Sequence, residues 1–146
     1  MRIPSVLQFG TSRFLQAHAD LFLAESWPDA QPLTVVQTSG DPSRAGRVRA
    51  LTQGYEVKIR GLRQGGAVEE SRTVRAVARG LTLAADLADV QQMVAETADV
   101  ILSNTADAGF RPQSADQAGQ FDPAMSYPAK LAHLLQLRYA AGGRSV

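Results

Sequence analysis

The segment that most constrains the fold runs from Val6 to His18, where an apolar strand meets a glycine and a helix begins at once. The segment from Ser5 to Phe9 is apolar and short, as is typical of a strand buried in a parallel sheet. Gly10 then supplies a tight turn, and Thr11 or Ser12 can cap the helix that follows. In dinucleotide-binding α/β folds, such a turn brings a helix start close to a pyrophosphate. The segment therefore predicts an α/β fold with a nucleotide site at its first turn.

A second segment, from Asp99 to Phe110, is another apolar strand that ends in small polar residues. The strand is expected over Val100 to Leu102, buried in the sheet, and the polar side chains follow it directly. Ligands of open α/β sheets bind at the carboxyl ends of the strands. We therefore predict that Ser103, Asn104 and Thr105 hydrogen-bond to a bound cofactor, and a simple capped turn is the alternative interpretation.

The rest of the chain predicts a mostly parallel sheet with flanking helices and one antiparallel excursion. Alternation of apolar and polar residues is typical of half-exposed antiparallel strands, and it occurs twice in the middle of the chain. A long polar loop, at 111–126, precedes the last helix. The further expected elements are strands at Leu33 to Gln37, Tyr55 to Arg60 and Val68 to Val77, and helices at Ser43 to Thr52, Asp86 to Glu96 and Pro128 to Ala141.

Helical spacing predicts which side chains of the first and last helices pack inward. In the first helix these are Phe14, Ala17, His18, Leu21 and Phe22. In the last helix they are Leu131, Leu134, Leu135 and Tyr139. His18 is thus expected to be a packed, hydrogen-bonded histidine. Lys130 is expected at the surface, with contact to a substrate or to a second domain as the alternative because the long loop leads into it.

Composition limits the classes of function. With 146 residues the chain is long enough for one domain with a sizeable core. A net charge of +1 without a basic block gives no sign of nucleic-acid binding. The absence of cysteine, together with only two histidines, excludes thiolate chemistry and a classical zinc site. No apolar stretch approaches the roughly 20 residues of a membrane span, and no signal-like apolar core follows Met1 and Arg2, so we expect a cytoplasmic protein.

The glycine fingerprint of dinucleotide sites, G-x-G-x-x-G, is matched only at its first position. Gly10 fills that position, whereas Ser12 and Leu15 replace the other two glycines. A small side chain at position 12 still lets the backbone approach a phosphate, and its hydroxyl can donate a hydrogen bond. By this pattern alone, an ordinary strand–turn–helix of an α/β protein stays an open alternative.

An acidic residue after the second strand bears on the choice of cofactor. Asp41 lies just past that strand, where a carboxylate accepts hydrogen bonds from the ribose hydroxyls of NAD. The alternative is a plain turn aspartate before Pro42. Ser39 and Arg44 lie in the same segment and could instead favour a 2′-phosphate. These residues favour NAD while leaving NADP open.

Taken together, these segments resemble the N-terminal domain of the mannitol dehydrogenase family, the polyol-specific long-chain dehydrogenases and reductases. The family opens with the pattern G-x-G-x-F-x-R-x-H, which Gly10, Phe14 and His18 match and from which Ser12 and Gln16 depart. The resemblance covers most of the chain in collinear order. The similar stretches, the first of which contains this pattern, are QFGTSRFLQAH from Gln8, YEVKIRGL from Tyr55, ILSNTADAGF from Ile101 and SYPAKLAHLLQLRYAAG from Ser126.

The resemblance implies that residues 1–146 form the Rossmann-like, NAD-binding domain of an oxidoreductase acting on a sugar acid or polyol. In the family, a larger helical domain follows and carries the catalytic lysine, so the chain is expected to be a fragment without a catalytic residue of its own. Carried over by position, the contacts to the pyrophosphate and adenine side are Gly10, Thr11, Ser12 and Phe14. Those to the ribose and the nicotinamide side are Asp41 and then Ser103, Asn104 and Thr105.

Two alternatives to this function stay open from the sequence. One is a stand-alone, non-catalytic nucleotide-binding or regulatory module, and the other is a degenerate domain kept for protein association. A reading frame that continues for a few hundred residues with a K-x-x-x-x-N-x-x-H segment would favour the enzyme.

Overall fold

Four parallel strands form the central sheet of the computed structural model, which describes residues 2–143. Met1 and residues 144–146, where the sequence predicts an interrupted chain, lie outside the described residues. The strands in chain order are β1 (Val6–Phe9), β2 (Leu33–Gln37), β3 (Tyr55–Arg63), β4 (Gly66–Val74), β5 (Val77–Thr82) and β6 (Val100–Ser103). The helices are α1 (Arg13–Ala17), α2 (Ala19–Ser26), α3 (Ala45–Ala50), α4 (Leu87–Gln92), continued by a π-helical turn (Met93–Thr97), and α5 (Tyr127–Ala140).

The strand order in the central sheet is β5-β2-β1-β6. Val6 of β1 pairs in parallel with Leu33 of β2 on one side and with Val100 of β6 on the other. The chain therefore builds outward from β1 through β2 to β5 and then returns to the opposite side of β1. This is the order of the first four strands in a doubly wound dinucleotide-binding sheet. The predicted fold class is confirmed.

The antiparallel excursion is a hairpin of β3 and β4, which pair from Tyr55 with Val74 to Arg63 with Gly66. Its turn is tighter than the loop that the sequence predicts over Gly61 to Gly66, since only Gln64 and Gly65 connect the strands, with φ of 51° and 82°. Two consecutive positive φ angles are typical of a type I′ turn, whose twist matches that of the strands. The predicted antiparallel excursion is confirmed, with β3 longer than expected and β4 shifted toward the turn relative to the predicted Val68 to Val77.

The sequence prediction missed β5, which pairs with β2 and forms one edge of the central sheet. Arg79 and Gly80 interrupt its apolar run, so the segment does not look like a buried strand. Gly80 is required by packing, because a Cβ atom there would lie 2.1 Å from the backbone oxygen of Val48 in α3. Helix α3 thus rests directly on the backbone of β5.

Hydrophobic clusters cover both faces of the sheet, because successive side chains of each strand point to opposite sides. On one face, Leu7 and Phe9 pack with Val90, Val94 and Leu134 from α4, the π-helical turn and α5. On the other face, Val6, Leu33, Val35 and Val77 pack with Val48 of α3. All four residues of β1 are buried, so the strand is held from both sides.

The predicted inward faces of the first and last helices are partly wrong. The helical path breaks at His18 (φ −123°, ψ −79°), which changes the face that follows. Phe14 and Phe22 are 58% and 59% exposed and flank the exposed His18 ring, which stacks on Phe14 at 4.4 Å. His18 is hydrogen-bonded as predicted, through Nδ1 and the Phe14 carbonyl oxygen, but it is not packed inside.

Helix α5 turns only part of the predicted face inward, since Leu131 and Leu134 pack against the core as predicted. Tyr139 is 86% exposed and Leu135 is also exposed, whereas Lys130 and Leu134 are buried. Strand β6 is likewise only half-buried rather than enclosed, because it forms an edge of the sheet among the described residues. Within residues 2–143, none of the helices is long and apolar enough to traverse a lipid bilayer.

Candidate functional site

The carboxyl ends of the four parallel strands meet at one edge of the sheet, and every predicted cofactor-binding residue follows one of three strands there. Gly10, Thr11, Ser12 and Phe14 follow β1, Asp41 follows β2, and Ser103, Asn104 and Thr105 end or follow β6. The strand order reverses between β1 and β6, and the crevice at such a point is where ligands of open α/β sheets bind. The sequence therefore placed its candidates at the edge where the topology expects a ligand.

Gly10 is the pivot of this edge. Its φ is +108°, a backbone conformation that favours glycine, and its N–H donates to the carbonyl oxygen of Val36 (2.9 Å). A Cβ atom at Gly10 would lie 3.7 Å from the backbone oxygen of Asn104 and 3.9 Å from Leu15 Cδ1, which are ordinary contact distances. Backbone conformation rather than crowding by these neighbours therefore demands glycine. The same distances show that the turns after β1 and β6 come together.

Ser12 caps α1 and replaces the second fingerprint glycine without strain. Its φ of −68° is accessible to any residue, and its Oγ accepts a hydrogen bond from the backbone N–H of Leu15 (3.2 Å). The hydroxyl hydrogen stays available as a donor. The neighbouring Thr11 carbonyl accepts from Gln16 Nε2 (3.2 Å), so the residue that departs from the family pattern at position 16 stabilises the turn.

Phe14 lies apart from the other candidates. Its ring stacks on His18 along the exposed side of α1. The structure thus does not bring the Phe14 ring into the crevice between β1 and β6, and its role toward an adenine stays a prediction.

The turn after β2 is organised by Gln37, which sequence reasoning missed. Its Nε2 donates to the backbone oxygens of Ser39 (3.1 Å) and Asp41 (2.8 Å) and to Ser39 Oγ (3.1 Å). The side chain is buried. A glutamine that ends an otherwise apolar strand was the available signal, because a buried amide needs hydrogen-bond partners.

Asp41 projects from this organised turn as an exposed, ionised carboxylate. Its Oδ1 accepts from the N–H (3.0 Å) and the hydroxyl (2.7 Å) of Ser43, and Oδ2 pairs with Nε of Arg44 (3.2 Å). The Ser43 hydrogen bonds, helped by the charges of Arg44 and Arg47, lower the pKa of Asp41. The plain-turn interpretation is thus correct for the geometry, and the role of Asp41 toward a ribose stays a prediction.

A small cavity of about 120 Å³ lies between the ends of β2 and β5, beside Asp41. Polar atoms of Gln37, Ser39 and Thr82 and small residues after β5 line it. The full lining is Gln37, Ser39, Gly40, Asp41, Pro42, Ala45, Arg49, Thr82, Ala84 and Ala85. In a sheet of this order, this is the side of the edge on which a dinucleotide places its adenosine half.

Ser103 and Asn104 are exposed at the end of β6, and Thr105 is half-buried. Ser103 pairs with Phe9 in register, directly across from the last residue of β1. Burial raises the pKa of the nearby Tyr127 hydroxyl, and the neighbouring Ser103 side chain acts against that rise. The polar residues at the end of β6 therefore lie beside the turn that carries Gly10.

Lys130 is buried rather than at the surface where the sequence places it, and contact to a substrate or a second domain stays a prediction. Its side chain is buried, and Nζ donates to the carbonyl oxygen of Thr38 (3.1 Å) in the turn after β2. Burial lowers the pKa of Lys130, and the negative charges of Asp122 and Asp116 act against that change. The lysine ties α5 and the long loop to the site edge.

Beneath the glycine turn lies a buried polar cluster formed by Gln8, Asp20 and Tyr55. The Tyr55 hydroxyl donates to Asp20 Oδ2 (2.6 Å), and Gln8 Nε2 donates to the Gly10 carbonyl (3.3 Å). Gln8 and Asp20 are fully buried. Burial raises the pKa of Asp20, although the hydrogen bond from Tyr55 and the nearby Gln8 amide oppose the rise. The cluster connects the hairpin to the turn that carries Gly10.

Comparison with known proteins confirms the resemblance inferred from the sequence. The chain is 34% identical over 145 residues to an altronate oxidoreductase of Cronobacter sakazakii and 34% identical over 139 residues to one of Yersinia pestis, each match covering 92% of this chain. An altronate oxidoreductase of Bacillus subtilis is 27% identical over 140 residues, or 93% of this chain. The chain spans 29%, 28% and 29% of the lengths of these relatives. No protein-family model matches the chain.

A solved structure of D-sorbitol dehydrogenase in substrate-free form shares the fold. It superimposes with a TM-score of 0.67 and 20% sequence identity, over 97% of this chain and 32% of that one. The parallel sheet, its helices and the hairpin excursion thus form an arrangement found within a larger dehydrogenase.

Proposed function

We propose that this chain, similar over most of its length to altronate oxidoreductases, is the cofactor-binding part of an NAD-dependent oxidoreductase that acts on a sugar acid or polyol. The whole enzyme would interconvert a ketouronate such as tagaturonate and its aldonate. The observation that carries the proposal is the meeting of Gly10 and Asn104 at the point where the strand order reverses. NAD supplies the hydride chemistry when bound.

The residues at the carboxyl edge fit a dinucleotide laid across it. The turn from Gly10 to Ser12 would hold the pyrophosphate, since it has no bulky side chain and retains the Ser12 hydroxyl as a donor. Asp41 would accept hydrogen bonds from the adenosine ribose, and Ser103, Asn104 and Thr105 would lie toward the nicotinamide. Lys130 and Gln37 act indirectly, because each fixes the turn after β2 through backbone oxygens.

No residue of this chain is assigned a catalytic role in the proposal. The family's catalytic lysine belongs to a second domain, and this chain spans less than a third of its relatives' lengths. We therefore propose that the 146-residue chain binds cofactor but does not by itself reduce tagaturonate or fructuronate. We also propose that the whole enzyme is cytoplasmic and that its partner is a small-molecule sugar acid or polyol.

Calorimetric titration of NADH into the purified chain, and into its Asp41→Ala variant, tests the proposal. The unmodified chain should bind NADH, and Asp41→Ala should weaken that binding by about tenfold, the worth of hydrogen bonds to a charged group. The matched control is Asp29→Ala, which removes an exposed carboxylate between α2 and β2. This variant should bind NADH like the unmodified chain.

Lack of NADH binding by a folded chain would refute the proposed cofactor. Steady turnover of tagaturonate by the 146-residue chain, abolished by a substitution within it, would refute the absence of a catalytic residue. Binding without a downstream catalytic segment in the reading frame would favour the stand-alone module instead.

A further inference from the structure

A groove lined by three arginines lies between the start of α1 and the turn and helix after β2. Its volume is about 430 Å³, and its lining residues are Thr11, Arg13, Gln16, Arg44, Arg47 and Leu51. Thr11 and Arg13 come from the segment that follows Gly10, and Arg44 and Arg47 come from the segment that follows Asp41. The groove therefore borders both turns that would hold the adenosine half of a dinucleotide.

The charges of this groove are not balanced within it. None of its lining residues is acidic. Arg44 pairs with Asp41 (3.2 Å), but among residues 2–143 no carboxylate lies within ion-pair distance of Arg13 or Arg47. Guanidinium groups that converge on one groove repel one another, so a bound anion would relieve an unfavourable interaction. Arginine also matches phosphate geometry with two parallel hydrogen bonds.

We propose that this groove binds the 2′-phosphate of NADP(H), so that the chain accepts NADP as well as NAD. The inference rests on the proposed function for the position of the adenosine ribose. In dinucleotide-binding folds, an arginine close to the end of the second strand is the residue that accommodates a 2′-phosphate. Here the glycine turn adds a second arginine, Arg13, from the opposite side of the groove.

Asp41 does not exclude this phosphate in the way that a free carboxylate at its position would. Both of its oxygens are engaged, Oδ1 by Ser43 and Oδ2 by Arg44. A 2′-phosphate, with a charge of about −1.5 to −2 at pH 7, would meet the arginines of the groove rather than an uncompensated negative charge. The same carboxylate can still accept hydrogen bonds from the ribose hydroxyls of NAD.

Two ligand pairs that differ only by the 2′-phosphate provide the test: NAD with NADP, and 5′-AMP with 2′,5′-ADP. Dissociation constants are measured by calorimetry on the 146-residue chain, on the double variant Arg13→Gln/Arg47→Gln and on a control variant. The control is Arg63→Gln, which removes an arginine charge from the hairpin, away from the groove. The unmodified chain should bind both dinucleotides. In the double variant, the Kd of NADP relative to that of NAD should rise by about tenfold or more, and the same should hold for 2′,5′-ADP relative to 5′-AMP.

The control should leave both ratios unchanged, and Arg13→Lys should give an intermediate ratio because charge persists without the paired hydrogen bonds. Binding of NAD without NADP would overturn the inference while leaving the proposed function intact. So would equal losses for both members of a pair in the double variant.

If neither dinucleotide binds, the proposed function fails. The comparison of 5′-AMP with 2′,5′-ADP then tests separately whether the groove binds a 2′-phosphate. Tighter binding of 2′,5′-ADP than of 5′-AMP, lost in the double variant, would still support the phosphate site. No preference for 2′,5′-ADP would overturn it. Inorganic phosphate that binds as tightly as 2′,5′-ADP would also overturn the assignment, because the groove would then be a general anion site.

Discussion

The ammonium group of Lys130 donates a hydrogen bond to the carbonyl oxygen of Thr38 (3.1 Å), which joins the first turn of α5 to the turn after β2. The two residues are 92 positions apart in the chain. Since Asp41 follows Thr38 by three residues, the lysine supports the predicted ribose site from behind.

Replacing Lys130 with methionine should destabilise the fold by about 1–3 kcal/mol, because the Thr38 carbonyl loses its donor while the side-chain volume is nearly kept. NADH binding should weaken at the same time, as the turn after β2 loosens. Urea unfolding and calorimetry measure the two effects. Lys58→Met, on an exposed position of the hairpin, is the control and should change neither quantity. Unaltered stability in Lys130→Met would show that the contact contributes nothing.

Asp20→Asn should make the chain more stable than the unmodified protein near pH 7 but not near pH 4. Burial raises the folded-state pKa of Asp20, so the folded chain holds a proton that the unfolded chain releases near pH 4. The stability from this group is present below about pH 4 and is lost as the pH rises through the raised pKa. Asparagine stays neutral throughout and can still accept from Tyr55.

Urea unfolding of both proteins at several pH values from 4 to 8 measures this difference. The difference isolates Asp20 from Asp41, Asp99 and Asp116, whose pKa values are lowered by hydrogen bonds and whose contributions change with the opposite sign. Asp20→Ala should instead lose about 1–3 kcal/mol near pH 4, since Tyr55 loses its acceptor, and this loss should shrink as the pH rises because alanine does not titrate. A gap between Asp20→Asn and the unmodified chain that does not depend on pH would contradict the assignment.

Gly10→Ala should lose about 1–2 kcal/mol of stability because of its φ of +108°, and it should also lose NADH binding. Gly65→Ala is a matched control, with a φ of +82° and no atom within 4 Å of the added carbon, in the hairpin turn. The control should lose stability alone. Thermal melts with and without NADH compare them. Full NADH-induced stabilisation in Gly10→Ala would show that the turn is not a nucleotide site.

Gly80→Ala should be severely destabilising, by about 3 kcal/mol or more, since its Cβ would lie 2.1 Å from the backbone oxygen of Val48. The backbone of α3 would have to move away from β5. Gly46→Ala, in the same helix with open space around the added carbon, should instead stabilise by about 0.5–1 kcal/mol. Urea unfolding measures both, and similar effects of the two substitutions would contradict the direct contact of helix and strand.

Local patterns were enough to predict the turn at Gly10 and the hairpin. A short apolar run before a glycine, or regular alternation, depends on neighbours in sequence, and these elements appear where they were expected. Strand β5 was not predicted because Gly80 weakens its apolar pattern. Glycine is needed there by the packing of α3, which lies some thirty residues earlier in the chain. The inward face of the first helix was predicted only in part, because nothing in the sequence signals the break at His18.

The candidate site divides in the same way. The residues that follow strands could be named from the sequence, since parallel strands place their ends together. Gln8, Gln37 and Lys130 could not, because each is a buried polar side chain whose nitrogen donates to backbone oxygens at positions that only the fold defines.

The pairing of β1 with β6 has a consequence for how the molecule reaches its working form. It joins residues more than ninety positions apart, whereas the β3–β4 hairpin closes between neighbours. Closing so long a loop has an entropic cost that local contacts avoid, so this pairing is expected late in folding. The crevice beside Gly10 would then be the last part of the sheet to assemble, and a ligand there would select chains whose folding is complete.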